Sequence, residues 1–168
     1  MVHTLTVRKL NLEEAAVFSN EIRSVPGIVG YLPSELVALP SMVVLEVGRA
    51  AAGVLAYTDA PDFVELKLLL VRSQFRGHGY SRLLFDDFSR RFAGSTKLMY
   101  AVTKNPIVKH LACAEGYEQS SFWALPTSCK LHQVAFMVSW YRFREYLRKR
   151  FRFPDGGAFQ YWVKRPNT

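Results

Sequence analysis

The turn Gln74-Phe75-Arg76-Gly77-His78-Gly79 separates an apolar run, Glu65 to Val71, from an amphipathic one, Tyr80 to Phe92. Strand, glycine turn and helix in that order can hold an anion. The leading N–H groups of a helix have no intrahelical acceptor, and the aligned peptide dipoles place partial positive charge at that end. Gly77 and Gly79 let the backbone approach a ligand, and Arg72, Arg76 and Arg82 put cations around the turn, where a guanidinium can grip phosphate through two parallel hydrogen bonds. The chemistry indicated is the binding of a phosphate or pyrophosphate. A glycine before a helix also serves packing alone. The dinucleotide pattern GxGxxG fails at Arg82, with no strand-borne acid about 20 residues on, and the Walker pattern fails because no Gly-Lys-Ser/Thr follows the turn.

The segment Val71 to Gly79 resembles the coenzyme A loop of the GNAT superfamily of N-acetyltransferases, Gln/Arg-x-x-Gly-x-Gly/Ala after a valine-ended strand. A second segment, in which Asn105 opens a helix that closes at Glu115-Gly116-Tyr117, is similar to the family's Asn…Gly-Phe helix. The resemblance spans residues 3 to 125. It implies an α+β (mixed α/β) fold with a mostly antiparallel central sheet, one splayed parallel strand pair and helices on both faces. It also implies acetyl-CoA as cosubstrate, no metal, and a primary amine as acceptor, whether of a protein or peptide, an aminoacyl-tRNA or a small amine. In that reading the backbone of Arg76, Gly77, His78, Gly79, Tyr80 and Ser81 cradles the pyrophosphate. Leu69, Leu70 and Val71 hold the pantetheine arm as an added strand would be held, and Asn105 belongs to the same coenzyme-binding set.

The resemblance also nominates catalytic groups. Glu65, six residues before Val71, stands where some protein-acetylating relatives carry a glutamate that accepts the amine proton through water; pairing with Lys67 or Arg72 is its structural alternative. Relatives often place a tyrosine four residues before the glycine that ends the Asn105 helix, and here that position is Ala112. Tyr117 is the replacement general acid taken forward, with Tyr100 and Cys113 as neighbours and water as the remaining proton source. A non-catalytic module of the same fold, binding CoA or a nucleic acid, is the competing function.

These groups must be carried by a sheet and its helices. Residues 2–7 alternate as a strand, Asn11 and Glu14 form a capping-box start, and Ala15, Phe18 and Ile22 share one helical face. The connection 26–33 is rich in Pro and Gly and precedes a short helix, 34–39. By resemblance it lines the acceptor side, where Ile28, Val29 and Tyr31 meet substrate or simply pack. Strands at 42–47 and 52–57 make a hairpin, followed by the strand ending at Val71. Leu84, Phe85, Phe88 and Phe92 stripe the next helix; a strand over 97–104 is then parallel to the one before that helix. Asn105-Pro106 opens a helix with Ile107, Val108, Leu111 and Ala112 inward. A strand over 117–125 follows, then a segment 130–151 read as mostly helix, with a strand over 132–140 as its alternative. A turn at 155–157 and a strand over 159–164 paired with 117–125 complete the chain.

Composition sets the frame. The chain has 168 residues, 49% hydrophobic and 21% charged, which suits one domain over 1–168. No apolar run reaches the roughly 18 residues of a membrane span, and the opening residues lack a secretory layout, so a cytoplasmic protein with no membrane partner is expected. Cys113 and Cys129 show neither CxxC spacing nor a histidine pattern, which suggests reduced thiols and no metal. From Lys130 onward nine Lys/Arg face Glu145 and Asp155, so +7 of the net +8 lies in a basic, aromatic extension at about 127–168. Within it, 140–152 interleaves aromatics with arginine. An RNA contact, an acidic-protein or homodimer interface, and a solvated helix face are its three readings.

Overall fold

The computed structural model of the chain describes residues 2–138, 140–152 and 158–166. In chain order the elements are β1 (His3–Val7), α1 (Leu12–Ser24), α2 (Pro33–Ala38), β2 (Ser41–Val47), β3 (Ala50–Asp59), β4 (Phe63–Val71), α3 (Tyr80–Arg91), β5 (Leu98–Thr103), α4 (Pro106–Ala114), β6 (Glu118–Ser120), α5 (Thr127–Met137), α6 (Trp140–Arg152) and β7 (Gln160–Lys164). The seven strands form one sheet in the order β1-β2-β3-β4-β5-β7-β6, antiparallel throughout except for the parallel pair β4–β5. The helix crossover through α3 makes that pair parallel.

Local chemistry sets the helix starts. Asn11 accepts from the Glu14 amide while the Glu14 side chain takes the Asn11 N–H, closing the capping box. Asn105 caps α4 through the Ile107 amide, with Pro106 at the first helical position. Two apolar layers then cover the sheet. On one face Leu84, Phe85 and Phe88 of α3 and Val108, Leu111 and Ala112 of α4 pack on Val64, Leu66, Leu69 and Val71. On the other, Ala15, Phe18 and Ile22 of α1 pack with Tyr31 and Leu36 against Leu68 and Leu70.

That division exposes a phase change inside β4. Val64 and Leu66 share a face with Leu69 and Val71, which strict alternation forbids. The register supplies the cause: Ala56 pairs with Leu68 and Tyr57 with Leu66, so Lys67 is the extra residue of a β-bulge. The run Leu66-Lys67-Leu68-Leu69-Leu70 gives no sign of it, because both faces are buried. Pairing of β4 with β5 runs from Phe63–Leu98 to Leu66–Ala101 and is not continued past the bulge. The two strands therefore diverge from Lys67 onward.

Three expectations are corrected. Ile107 faces solvent at 59% exposure, because Pro106 and Ile107 form the outer first turn of α4. The strand over 117–125 is only Glu118–Ser120; Ser121 then caps a single 3-10 turn, Phe122–Ala124, by accepting from the Ala124 amide. The segment 130–151 is helical, yet divided into α5, which ends at Met137, and α6. The turn expected at 155–157 lies outside the described residues. β7 pairs with β6 as expected, and also with β5, so it stands between them.

Helix α6 is held inward by its cations. Lys149 Nζ donates to the carbonyls of Ile22, Val25 (2.8 Å) and Ile28 (2.7 Å), closing the C-terminal end of α1. Arg148 bonds Glu145 and the carbonyl of Arg23 (3.0 Å), and Arg142 bonds Glu35 and the carbonyl of Phe136, both at 2.8 Å. Close packing reinforces the dock: a Cβ on Gly30 would lie 2.7 Å from Glu145 Cγ.

Candidate active site

Where β4 and β5 part, the sheet opens into two adjacent hollows. The outer one, about 400 Å³, is lined by Leu69, Leu70, Val71, Arg76, Gly77, Gly79, Tyr80, Ser81 and Asn105, among others. The inner one, about 180 Å³, holds Glu65 and Lys67. Ile28, Leu69, Asn105 and Val108 border both, so the hollows meet at Leu69.

The outer hollow is built for an anion by its backbone. Gly77 and Gly79 have φ of 84° and 74°, the left-handed region that favours glycine, and nothing lies within 4 Å of a Cβ built on either. Gly79 is the N-cap of α3 and has no side chain to offer, so no side-chain cap engages the first-turn N–H groups of that helix. The arginines contribute less than their number suggests. Arg76 turns its Nε to the carbonyl of Val71 (3.0 Å) and reaches Glu21 at 3.4 Å; Arg72 donates to the carbonyl of Ala51 and lies over the Phe75 ring. Arg82 is 3.7 Å from Asp86. His78 does not line the hollow: its ring stacks on Tyr80, with Nδ1 3.0 Å from the carbonyl of Arg76.

The inner hollow has an ionic centre. Glu65 is 3% exposed, with Oε2 2.7 Å from Lys67 Nζ, while Gln133 Nε2 donates to Oε1. Glu65 and Lys67, two apart on β4, share a face by ordinary alternation, and the bulge adds Leu68 to it. His132 places Nε2 3.1 Å from Glu65 Oε2, without hydrogen-bond alignment, and is one-third exposed on its other side. Burial and the neighbouring Lys67 cation lower the imidazole's pKa against the pull of Glu65, so the ring is held toward its neutral form. Burial likewise lowers Lys67, whose ammonium sits 4.3 Å above the Phe136 ring.

Of the residues nominated from sequence, Glu65, Leu69, Leu70, Val71, Arg76, Gly77, Gly79, Tyr80, Ser81 and Asn105 line one hollow or the other. Tyr117 lines neither: it packs on Phe85, its buried hydroxyl has no hydrogen-bond partner among the described residues, and burial raises its pKa. Ala112 is fully buried in the core. Tyr100 sits behind the inner hollow with Gln133 Nε2 3.4 Å from its hydroxyl, and Cys113 is exposed. Sequence reasoning did not select Gln133 or His132. Their only signal is adjacency on α5, since Gln133 meets Glu65 across 68 residues of chain. Among the described residues, no group of three or more His, Cys, Asp or Glu is placed to hold a metal ion.

N-acetylglutamate synthase from Neisseria gonorrhoeae, solved with coenzyme A and N-acetyl-glutamate, matches 98% of this chain at a TM-score of 0.66 and 16% identity. The chain spans 36% of that protein. A GNAT superfamily phosphinothricin acetyltransferase from Sinorhizobium meliloti, solved with AcCoA, matches 70% of this chain and 77% of its own at a TM-score of 0.55 and 19% identity. The fold is that of the GNAT acetyltransferases. Rv2747 from Mycobacterium tuberculosis, solved with CoA, shares this GNAT fold over 94% of this chain and 97% of its own, at a TM-score of 0.65 and 11% identity. No protein-family model and no curated protein matches the sequence. No helix among the described residues is long and apolar enough to cross a membrane.

Proposed function

We propose that the protein is an N-acetyltransferase that moves the acetyl group of acetyl-CoA directly to a primary amine. The observation that carries this reading is the joining of the two hollows at Leu69, which puts an anion-binding helix start at one end of a cleft and a buried carboxylate at the other. The GNAT fold of CoA-bound structures supports the same assignment.

The residues divide the work. The backbone from Arg76 to Ser81 binds the diphosphate, and Arg76 steadies the turn through Val71. Past Leu66, the β4 edge facing β5 has no strand partner and receives the pantetheine arm as an added strand would be received. Its N–H groups near Leu69 to Val71 polarise the thioester carbonyl. Glu65 takes the proton that the amine nitrogen loses as the N–C bond forms and the C–S bond breaks; His132, 3.1 Å from that carboxylate and one-third exposed, stands between it and solvent. Tyr117, buried against Phe85, is left out of this mechanism, and the departing thiolate is protonated by water.

The test is CoA release from acetyl-CoA with a panel of primary amines, with Glu65→Gln as control. Turnover that falls about a hundredfold or more in the variant, with acetyl-CoA binding retained, supports the mechanism. Binding of acetyl-CoA without turnover of any amine favours the non-catalytic module.

A further inference from the structure

The inner hollow constrains the acceptor, an inference that rests on the acetyl-transfer reading. Several elements wall it: β4 and β5 below, the 27–31 connection, α5 and α6 above, and Phe159 and Tyr161 at the far wall, with Met137 and Tyr146 exposed at its mouth. The tail therefore roofs the acceptor site. Arg148 and Lys149, which a nucleic-acid surface would present outward, bind this roof to the end of α1 and the connection after it, and Arg142 binds it to Glu35 of α2.

Size comes first. A cavity of about 150 Å³ lined by apolar groups accommodates benzene. A hollow of about 180 Å³ thus takes one ring or a short alkyl body with an amine arm within its walls.

Charge comes second. Glu65 and Lys67 neutralise one another, and Lys67 is further engaged over Phe136. Arg142 lies 4.0 Å from the Phe136 ring centroid but is paired with Glu35 and does not line the hollow. Lys104 lies over the far-wall residue Phe159, 5.4 Å from its ring centroid, and is not in the lining; among the described residues the lining therefore has no surplus cation for an acceptor carboxylate or phosphate, and no second anion for a polyamine. What remains is an apolar, aromatic wall that includes Tyr31, Phe136, Met137, Tyr146, Phe159 and Tyr161. Such a wall favours an apolar body and attracts an arriving ammonium through its ring faces, while Glu65 receives the proton.

We infer that the acceptor is a small primary amine with an apolar or aromatic body and no carboxylate, phosphate or second ammonium. In the transfer, the amine nitrogen gains the acetyl carbon, the thioester C–S bond breaks, the proton goes to Glu65 and the thiolate leaves as CoA.

The experiment measures CoA release by the full chain at saturating acetyl-CoA, with calorimetry of acetyl-CoA binding run beside it. The amines are 2-phenylethylamine, n-hexylamine, L-glutamate, spermidine and a tetrapeptide. The two apolar amines should exceed the others in kcat/KM by at least about tenfold, and Met137→Trp, which enlarges a lining side chain at the mouth of the inner hollow that the outer one does not share, should raise their KM about tenfold with acetyl-CoA affinity unchanged. Preference for glutamate, spermidine or the peptide overturns the inference and leaves acetyl transfer standing. Acetyl-CoA binding without turnover of either apolar amine, or a Met137→Trp variant with unchanged KM, also overturns it. Absence of acetyl-CoA binding removes the underlying reading instead.

Discussion

Lys67 Nζ lies 2.7 Å from Glu65 Oε2: two apart on β4, the side chains share a face, and the bulge at Lys67 brings Leu68 onto that face as well. The same irregularity ends the pairing of β4 with β5. The cleft thus opens at the residue that carries one half of its charged centre.

The pair is expected to contribute to stability and activity separately. Glu65→Gln leaves a buried ammonium without its partner, at a cost of about 3 kcal/mol, and lowers kcat/KM about a hundredfold or more. Adding Lys67→Met should recover most of the stability and none of the activity. Urea melts and CoA-release rates on the single and double variants check this; recovery of activity in the double variant would assign Glu65 a purely structural part.

Docking of α6 should be sensitive at Gly30. A methyl group there would fall 2.7 Å from Glu145 Cγ and 2.9 Å from its Cβ, too close to the helix to be relieved by rotating a side-chain end. Gly30→Ala should cost about 1–3 kcal/mol by overpacking and raise KM for the amine more than for acetyl-CoA. Thermal melts with steady-state kinetics read both effects.

Lys149 gives a pH signature. Burial lowers its pKa from 10.5 to about 8. Below pH 8 the folded and unfolded chains both carry the proton, whereas between 8 and 10.5 the folded chain has lost it and the unfolded chain keeps it. The unfolded state then binds more protons, so this group's contribution to stability rises with pH across that window and falls away as pH drops through 8. The stability difference between wild type and Lys149→Met, followed by urea melts from pH 7 to 10, should grow with pH; a flat difference would contradict the assignment.

The phosphate turn is tested by backbone conformation alone. Gly79→Ala meets open space but must hold φ near 74°, at a cost of roughly 1 kcal/mol, or about 2–4 °C in Tm. Gly79→Asn tolerates that conformation and should melt close to wild type. Differential scanning calorimetry distinguishes the two.

Much of the frame was legible. Asn11 with Glu14 and Asn105 with Pro106 announce helix starts through local hydrogen bonding, and the Leu84, Phe85, Phe88 stripe announces a covered sheet face. The bulge at Lys67 was not legible, because alternation reports a phase only where one face meets water, and β4 is buried on both. Gln133 and His132 were missed since their partner, Glu65, is distant in sequence and no local pattern encodes such a meeting. The strand after Tyr117 was overextended because Phe122 and Trp123 suit a strand by type, while the Ser121 cap turns the chain there. Arg142, Arg148 and Lys149 look like a solvated charge run until their carbonyl and carboxylate partners are seen.

The most direct measurement is a calorimetric titration of the wild-type chain with acetyl-CoA. The coenzyme cleft between the α3 start and Leu69 predicts a saturable one-to-one heat with Kd in the micromolar range, on the order of 1–1000 μM. No heat of association from protein shown to be folded by circular dichroism would contradict it.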